Sequence, residues 1–400
     1  PRERARAVPL GGYRSGGYGR YACHIQHAGV RLHYQALNSP LYFPRCPACM
    51  SPIPVADRIS ALTAAAADWR EPDHPEREGA VARALAADNR CTAEALAFTI
   101  NQRTHTLTGE ALTAWAAKIP QATTPQSVVL VDRGVTPLAT FHLWIALVLA
   151  GHNIHYHPPQ AFPALLPAIA KAVEGYLGTA VLSLIADLKH VQHFKSVIAS
   201  SFIKLTTHVQ QREEAKNESG ASIAIVGAKP TDEVWEGLAE DALLYDGAGD
   251  TAPRLLFAPA TLGPDAFLDA CARFRAVYPA HRGTPGRLKM QQAMLEALDV
   301  PHGYSDDLGF LISKGEAEIQ TPGHIRWVPY TSVDDITSQL PSSVNCMVIP
   351  DNTAREIGRL IPEAPILCPG TAHRPPVEGH LPTDRLLNFL EELVSKKTKR

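Results

Sequence analysis

From residue 56 to about 117, apolar side chains recur three and four apart, a spacing that predicts a run of helices. Ile59, Leu62, Ala66 and Trp69 share one helical face, and the pairs Val81 with Leu85 and Leu96 with Ile100 stand four apart. Asp73-His74-Pro75 and Thr92-Ala93-Glu94 supply breaks and caps between helices. The period then changes. Val128-Val129-Leu130-Val131 is a continuous apolar run, as a strand buried on both faces requires. Thr136-Pro137 opens a helix predicted over 138–150, and Gly151 closes it. Ile154 to Tyr156 begins a second strand, and 163–176 a second helix. Strand, helix, strand, helix implies right-handed crossovers and a parallel sheet. Further strands are predicted within 181–185, 197–205 and 223–226, and the polar stretch 211–220 reads as an exposed connection.

A second α/β unit is predicted from about residue 242. Leu255-Leu256-Phe257-Ala258 reads as a strand, and 264–278 as an amphipathic helix with Phe267, Cys271, Phe274 and Val277 on one face. A helix over 288–298 follows. Phe310-Leu311-Ile312, Ile325-Arg326-Trp327-Val328 and Cys346-Met347-Val348-Ile349 are strand candidates, and helices are predicted over 353–360 and 383–394. No internal repeat is visible.

Composition narrows the function classes. With 400 residues, 45% of them hydrophobic and 20% charged, the chain has material for a sizeable core. A formal net charge of −2 gives no reason to expect nucleic acid or an anionic membrane as a partner. The apolar stretch at 138–149, interrupted by His142, is too short to cross a bilayer. The opening Pro-Arg-Glu-Arg-Ala-Arg-Ala-Val lacks the apolar core of a secretory leader. Seven scattered cysteines do not form a disulfide framework, so a reducing cytoplasm is the expected location. The Arg-, Gly- and Tyr-rich first 22 residues read as a flexible arm packed over a neighbour, with contact to RNA or to a partner as the alternative, and Lys396 to Arg400 as a solvated basic end.

Residues 23–55 carry a different signal. Cys46-Pro-Ala-Cys49 is a knuckle that suits tetrahedral Zn²⁺, and Cys23 and His27 complete four ligands, with His24 or His33 as substitutes. Such a closed site would be a structural staple. Unliganded cysteines in an irregular extension, or a redox pair, are the alternatives. His152, His155 and His157 lie on or beside one strand, where partly buried strand histidines compete with a metal site.

Four segments carry a family resemblance. Asp246-Gly247-Ala248-Gly249-Asp250-Thr251-Ala252-Pro253, leading into a strand, resembles the nucleophile loop of aldehyde dehydrogenases, which reads Gly-Gln-x-Cys, small residues, Pro, strand. Val135-Thr136-Pro137-Leu138, then Ala150-Gly151-His152-Asn153, then His157-Pro158-Pro159 match the family's Asn-x-Pro-Leu, Ala-Gly-Asn and Lys-Pro-Ser in order. Val226-Gly227-Ala228-Lys229-Pro230 is similar to its Glu-Leu-Gly-Gly-Lys. His373-Arg374-Pro375-Pro376 with Thr383-Asp384-Arg385-Leu386-Leu387 resembles the closing segment of the acyl-CoA reductase branch, which supplies fatty aldehyde in bacterial bioluminescence. The resemblance covers about residues 125–390. It implies an α/β fold of two parallel-sheet Rossmann-type domains plus the small N-terminal Cys/His extension. The implied boundaries are 1–55 for the extension, 56–242 for a nucleotide-binding-like domain, 243–372 for a catalytic-like domain and 373–400 for a returning C-terminal segment.

The same alignment implies that the chemistry has been lost. Asp250 stands where the family keeps its cysteine nucleophile, and a carboxylate is a far weaker nucleophile toward a carbonyl. Val135 stands at the asparagine that stabilises the oxyanion, a donor whose loss costs about 3 kcal/mol of transition-state stabilisation. His157 replaces the lysine that meets the cofactor ribose, and Thr207, in Leu205-Thr206-Thr207-His208, falls where a glycine loop would approach the dinucleotide phosphates. The usual general-base glutamate falls near Ile225, and the helical spacing of Cys271 marks it as core. The expected function is a catalytically degenerate subunit of this type, a scaffold for a protein partner or active paralogue, with a homodimer implied by analogy. The alternatives are an active NAD(P)H-dependent acyl-CoA or acyl-protein reductase that uses another cysteine, and a zinc-stapled module binding protein or nucleic acid.

Overall fold

The computed structural model describes residues 53–87, 91–186, 197–199, 205–206, 220–350, 364–380 and 383–395. Cys23, His27, Cys46 and Cys49, with the alternates His24 and His33, lie outside the described residues, as do Thr207, most of the 211–220 connection, the predicted helix at 353–360 and the basic tail. The chain divides into a unit of Pro1–Met50 and a unit of Ser51–Arg400.

Four helices come first: α1 (Val55–Asp68), α2 (Pro75–Ala86), α3 (Ala93–Thr106) and α4 (Gly109–Ala116). Thr92 and Thr108 cap α3 and α4, their hydroxyls accepting from Ala95 N–H (3.3 Å) and Ala111 N–H (3.1 Å). Leu62, Ala65 and Ala66 of α1 are buried, and so is Arg58. Arg58 is satisfied because its Nη1 donates to the carbonyls of Val148 (3.1 Å) and Leu149 (2.5 Å), at the negative end of a later helix.

The first sheet has the order β3-β2-β1-β4-β5. Its strands are β1 (Ser127–Val131), β2 (Asn153–His157), β3 (Ser183–Leu184), β4 (Val197–Ala199) and β5 (Leu205–Thr206). All pairs are parallel except β4 with β5. The single strand predicted within 197–205 is thus two short antiparallel strands. Crossover helices α5 (Phe141–Ala150) and α6 (Leu165–Leu177) follow β1 and β2. α5 begins at Phe141, later than the predicted 138, because Leu138 has φ 55° and cannot join a right-handed helix. Gly151, at φ 83°, ends it as expected.

The second sheet has the order β12-β11-β6-β7-β10-β9-β8, parallel except for β8 with β9. Its strands are β6 (Ala221–Ile225), β7 (Pro253–Pro259), β8 (His302–Tyr304), β9 (Leu311–Lys314), β10 (His324–Tyr330), β11 (Val344–Val348) and β12 (Ile366–Leu367). α7 (Asp232–Leu243), α8 (Asp265–Val277), α9 (Thr284–Ala297) and α10 (Val333–Ser338) connect them. β6 pairs with β7 and β11, and α7 packs on α8, so both belong with the second sheet. A strand buried on both faces reads as the same apolar run in either sheet, so the pattern could not assign it. Alternate residues of β6 feed both faces: Ala224 packs with Trp235, Phe267 and Trp327, while Ile223 and Ile225 pack with Leu255, Phe257 and Met347. On α8, Phe267 and Cys271 are buried as expected, but Val277 at the last turn is 66% exposed.

The last helix, α11 (Thr383–Ser395), returns to the first core. Leu386, Phe389, Leu390 and Leu393 join the cluster built on β1, α5 and α6. Among the described residues, no helix is long and apolar enough to cross a membrane.

Candidate functional site

The chain leaves β1 through a loop that one carboxylate holds together. Asp132 is buried, and its Oδ1 accepts from Gly134 N–H (2.8 Å). Its Oδ2 accepts from Thr140 Oγ1–H (2.7 Å) and from the hydroxyl of Tyr156 on β2 (3.0 Å). Burial, reinforced by Asp132, pushes the Tyr156 hydroxyl pKa up, so the phenol stays a donor. The loop folds back so tightly that a Cβ on Gly134 would fall 2.2 Å from Ala139 Cβ. Val135 is left at the tip, 51% exposed.

Between the carboxyl ends of β1 and β2 lies a cleft of about 620 Å³, lined by Asp132, Arg133, Val135, His157, Pro158 and Gln160 among others. The strand order reverses beside it: the chain steps from β1 to β2 and β3 on one side, then to β4 on the other. Such switch points are where open α/β sheets bind ligands. Val135 and His157, singled out from separate motifs, are therefore brought to one cleft. His157 Nδ1 is buried there with no hydrogen-bond partner among the described residues.

The second loop precedes β7. Asp246 adopts φ 52° and Gly247 φ 71°, a reversal that an ion pair locks in place. The Asp246 carboxylate is buried and accepts from Arg275 Nη2 (2.8 Å), from His281 N–H (3.1 Å) and from the Thr284 hydroxyl. Arg287 Nη2 stands 3.9 Å away. Four residues on, the Asp250 carbonyl accepts from Ser222 Oγ–H (2.5 Å) and Asn345 Nδ2–H (3.3 Å), which ties the loop to β6 and β11. The Asp250 side chain is half-buried, and burial pushes its carboxyl pKa up against the opposing pull of Arg254.

The two loops meet at a glycine. A Cβ on Gly249 would lie 3.3 Å from Thr136 Cγ2 and 3.3 Å from His373 Cε1. His373 arrives on the returning segment, and its Nε2–H donates to the Asp241 carbonyl at 2.8 Å. Its ring lies edge-on to Tyr245, 4.9 Å between centroids. Burial lowers the His373 pKa to about 4, although the Asp241 carbonyl opposes this. The Asp241 carboxylate accepts from Gly370 N–H (2.7 Å) and Ala372 N–H (3.0 Å), and so aligns the returning segment along α7. Burial pushes this carboxyl up to about 8. Thr251 Oγ1–H donates to the Ala372 carbonyl (3.1 Å) and closes the junction.

No described thiol is set for attack at this junction. Cys91, Cys271 and Cys346 are buried, and burial pushes all three thiols up, Cys91 and Cys346 to about 12. Cys346 sits behind the Asp250 loop, its thiol donating to Ser222 Oγ at 3.2 Å. Cys368 is exposed beyond the end of β12. Among the described residues, no group of three or more His, Cys, Asp or Glu side chains could hold a metal ion. On and beside β2, His152 is buried and lowered to about 4 by burial, and His155 is part-buried and lowered for the same reason.

Asp132, Asp246 and Asp241 organise this site, and sequence reasoning gave none of them a role. One signal was present: a lone aspartate directly after a buried strand, as Asp132 is, stands where a loop's amides need an acceptor.

No family model matches the chain, and no curated protein sequence matches it either. Solved structures do. An NAD-dependent benzaldehyde dehydrogenase from Corynebacterium glutamicum is 12% identical and superimposes with a TM-score of 0.58, over 85% of this chain and 83% of that one. An aldehyde dehydrogenase from Mycobacterium tuberculosis, solved with NAD⁺, is 14% identical with a TM-score of 0.57, over 80% of this chain and 78% of that one. A glyceraldehyde-3-phosphate dehydrogenase from Methanocaldococcus jannaschii, solved with NADP, is 12% identical with a TM-score of 0.53, over 80% and 81%. The fold is that of the aldehyde dehydrogenases.

Proposed function

We propose that this protein is a catalytically degenerate relative of the aldehyde dehydrogenases, closest to their acyl-CoA reductase branch, and that it acts as a structural or partner subunit. One observation carries the reading: the loop that meets Thr136 at Gly249 presents Asp250 next in the chain, and no cysteine. Acyl reduction on this fold needs a sulfur that attacks, carries the acyl group and leaves again. A half-buried carboxyl with a raised pKa is a poor nucleophile, and the anhydride it would form hydrolyses readily. The exposed tip of the opposite loop is the aliphatic Val135, which donates nothing to an oxyanion.

The fold implies a dinucleotide cofactor. The cleft at the ends of β1 and β2 has room for part of one, and the unpartnered Nδ1 of His157 lies in it. The donor set does not fit. A short imidazole stands in place of a lysine, and valine in place of an amide. Feeble or absent dinucleotide binding is the expected consequence. An active paralogue or an acyl-transferring enzyme is the proposed partner, and a second copy of this chain is the alternative. The buried thiols of Cys91, Cys271 and Cys346 suit the reducing cytoplasm proposed as its location. A zinc staple at Cys23, His27, Cys46 and Cys49 is proposed from their spacing alone.

A calorimetric titration of the full chain with NAD⁺ and NADPH, with zinc measured on the same sample, tests the reading. Expected are no saturable dinucleotide binding and no NAD(P)H oxidation with any acyl-CoA. Turnover that one thiol reagent abolishes, mapped to a single cysteine, would overturn it and establish an active reductase.

A further inference from the structure

α9 is apolar on two opposite faces. Leu288 and Leu295 are buried against Leu311 of β9, and they hold the helix on the second sheet. The other face looks away from the sheet. On it Met290 is 76% exposed and Met294 60%, and Gly286, Ala293 and Ala297 beside them are exposed as well. Met290 is the most exposed large apolar side chain among the described residues. Two of the chain's four methionines therefore stand uncovered on this one helix. A contiguous apolar face of this kind marks a contact surface. The flexible, polarisable thioether of methionine suits one.

The spacing on this face is that of a helix that pairs with another. Gly286, Met290, Ala293 and Ala297 follow at intervals of four, three and four, the alternation of a heptad seam. Their small members let a second helix approach closely. Lys289 and Glu296 flank the seam on one side, seven residues apart. Both are exposed, and neither forms an ion pair with another described residue. Glu296 Oε1 accepts from Gln292 Nε2–H at 3.0 Å, and no cation stands against the carboxylate among the described residues. These charges say what covers the face. A two-fold axis that sets two copies of α9 antiparallel brings like flanks together. Lys289 of one copy then lies level with Glu296 of the other, and Glu296 with Lys289. The same register puts Ala293 beside its own counterpart at the axis, and Met290 beside Met294 of the second copy. A parallel pairing would set Lys289 beside Met294 and leave both charges unanswered.

We propose that α9 is the contact surface of a homodimer, paired antiparallel with α9 of a second copy across a two-fold axis near Ala293. Methionine and alanine side chains exclude water along the seam. The two exchanged Lys289–Glu296 pairs add little affinity and fix the register. One helix pair is smaller than a standard interface, so the dimer dissociates reversibly in the micromolar range. The surface shares no residue with the cleft at Val135 and His157 or with the Asp250 loop. The proposal stands whether or not the protein binds a dinucleotide, catalyses a reaction or serves another enzyme.

Sedimentation velocity of the full chain, in reducing buffer at low ionic strength and over the micromolar range, tests this. A monomer–dimer equilibrium is expected. Ala293→Glu sets two carboxylates against each other at the axis and should weaken the dimer about ten-fold or more. Lys289→Glu and Glu296→Lys should each weaken it several-fold. The double variant that carries both should dimerise as the wild type does, and so should an equimolar mixture of the two single variants. All three positions are exposed, so the thermal midpoint of the dilute protein should stay where it is. A monomer at every concentration overturns the proposal and assigns the face to a partner of another kind. A dimer that Ala293→Glu leaves intact overturns it too, as do single charge variants that dimerise as well as the wild type. Should Ala293→Glu lower the midpoint, the charge exchange decides alone: a double variant that fails to recover dimerisation overturns the proposal.

Discussion

Arg275 Nη2 stands 2.8 Å from Asp246 Oδ1, and each side chain is only 5% exposed. This buried pair fixes the left-handed turn at Asp246, and with it the position of Asp250. Removing one partner strands the other charge. Asp246→Ala should therefore cost about 3–5 kcal/mol of stability. Replacing both, as in Asp246→Asn with Arg275→Met, should cost less than that single change. Urea denaturation of the three proteins measures both effects, and an Asp246→Ala loss under about 1 kcal/mol would contradict the assigned anchor.

The loop after β1 depends in the same way on Asp132. Asp132→Ala leaves the Thr140 hydroxyl, the Tyr156 hydroxyl and the Gly134 amide without their acceptor. The expected loss is about 3 kcal/mol, read from a denaturation midpoint. Gly134→Ala should also destabilise, by about 1–3 kcal/mol, because its methyl group meets Ala139.

How much of this was legible in the sequence depends on the type of signal. The helices at 55–116 and the strands β1, β2, β7, β9, β10 and β11 announced themselves through period, because one-sided and two-sided burial leave different patterns. β8 and β12 are too short to show a period, and α7 went unrecognised beside the polar turn that precedes it. Val135 and His157, taken from separate motifs, line one cleft, yet the motifs gave no hint of Asp132 and Asp246. Their importance lies in donors supplied from distant places in the chain, Tyr156 for one and Arg275 for the other.

Asp250→Cys alone should not create a reductase. The junction would gain a thiol, but Val135 would still offer no oxyanion donor, a deficit of about 3 kcal/mol or roughly a hundred-fold in rate. NADPH consumption with a series of acyl-CoA chain lengths measures this. Robust turnover by the single variant would show that the remaining machinery is intact.

Acid should destabilise the protein through its buried histidines. His142, His152, His324, His373 and His380 have folded-state values of about 3 to 4, below the 6.5 of an unperturbed imidazole. The unfolded chain binds protons first, so stability is full above about pH 6.5 and falls as pH drops toward 4. His373, held at about 4 in the folded protein, would contribute about 3 kcal/mol over that window. Asp241 acts oppositely: with its folded value raised to about 8, its contribution is full below about pH 4 and is lost as pH rises toward 8. Denaturation midpoints across this range should fall on the acid side for the wild type. They should fall less steeply for His373→Asn.

Because Leu386, Phe389, Leu390 and Leu393 complete the hydrophobic interior around β1, the lobe that begins the folded unit cannot finish assembling early. A ribosome releases β1, α5 and α6 more than two hundred residues before it makes the helix that seals them. Until then that lobe exposes a greasy seam, and the second sheet has time to form first. A nascent-chain series truncated ahead of α11 should accordingly be recognised by chaperones and cleaved by protease within residues 53–186, and that sensitivity should vanish once the final helix has emerged.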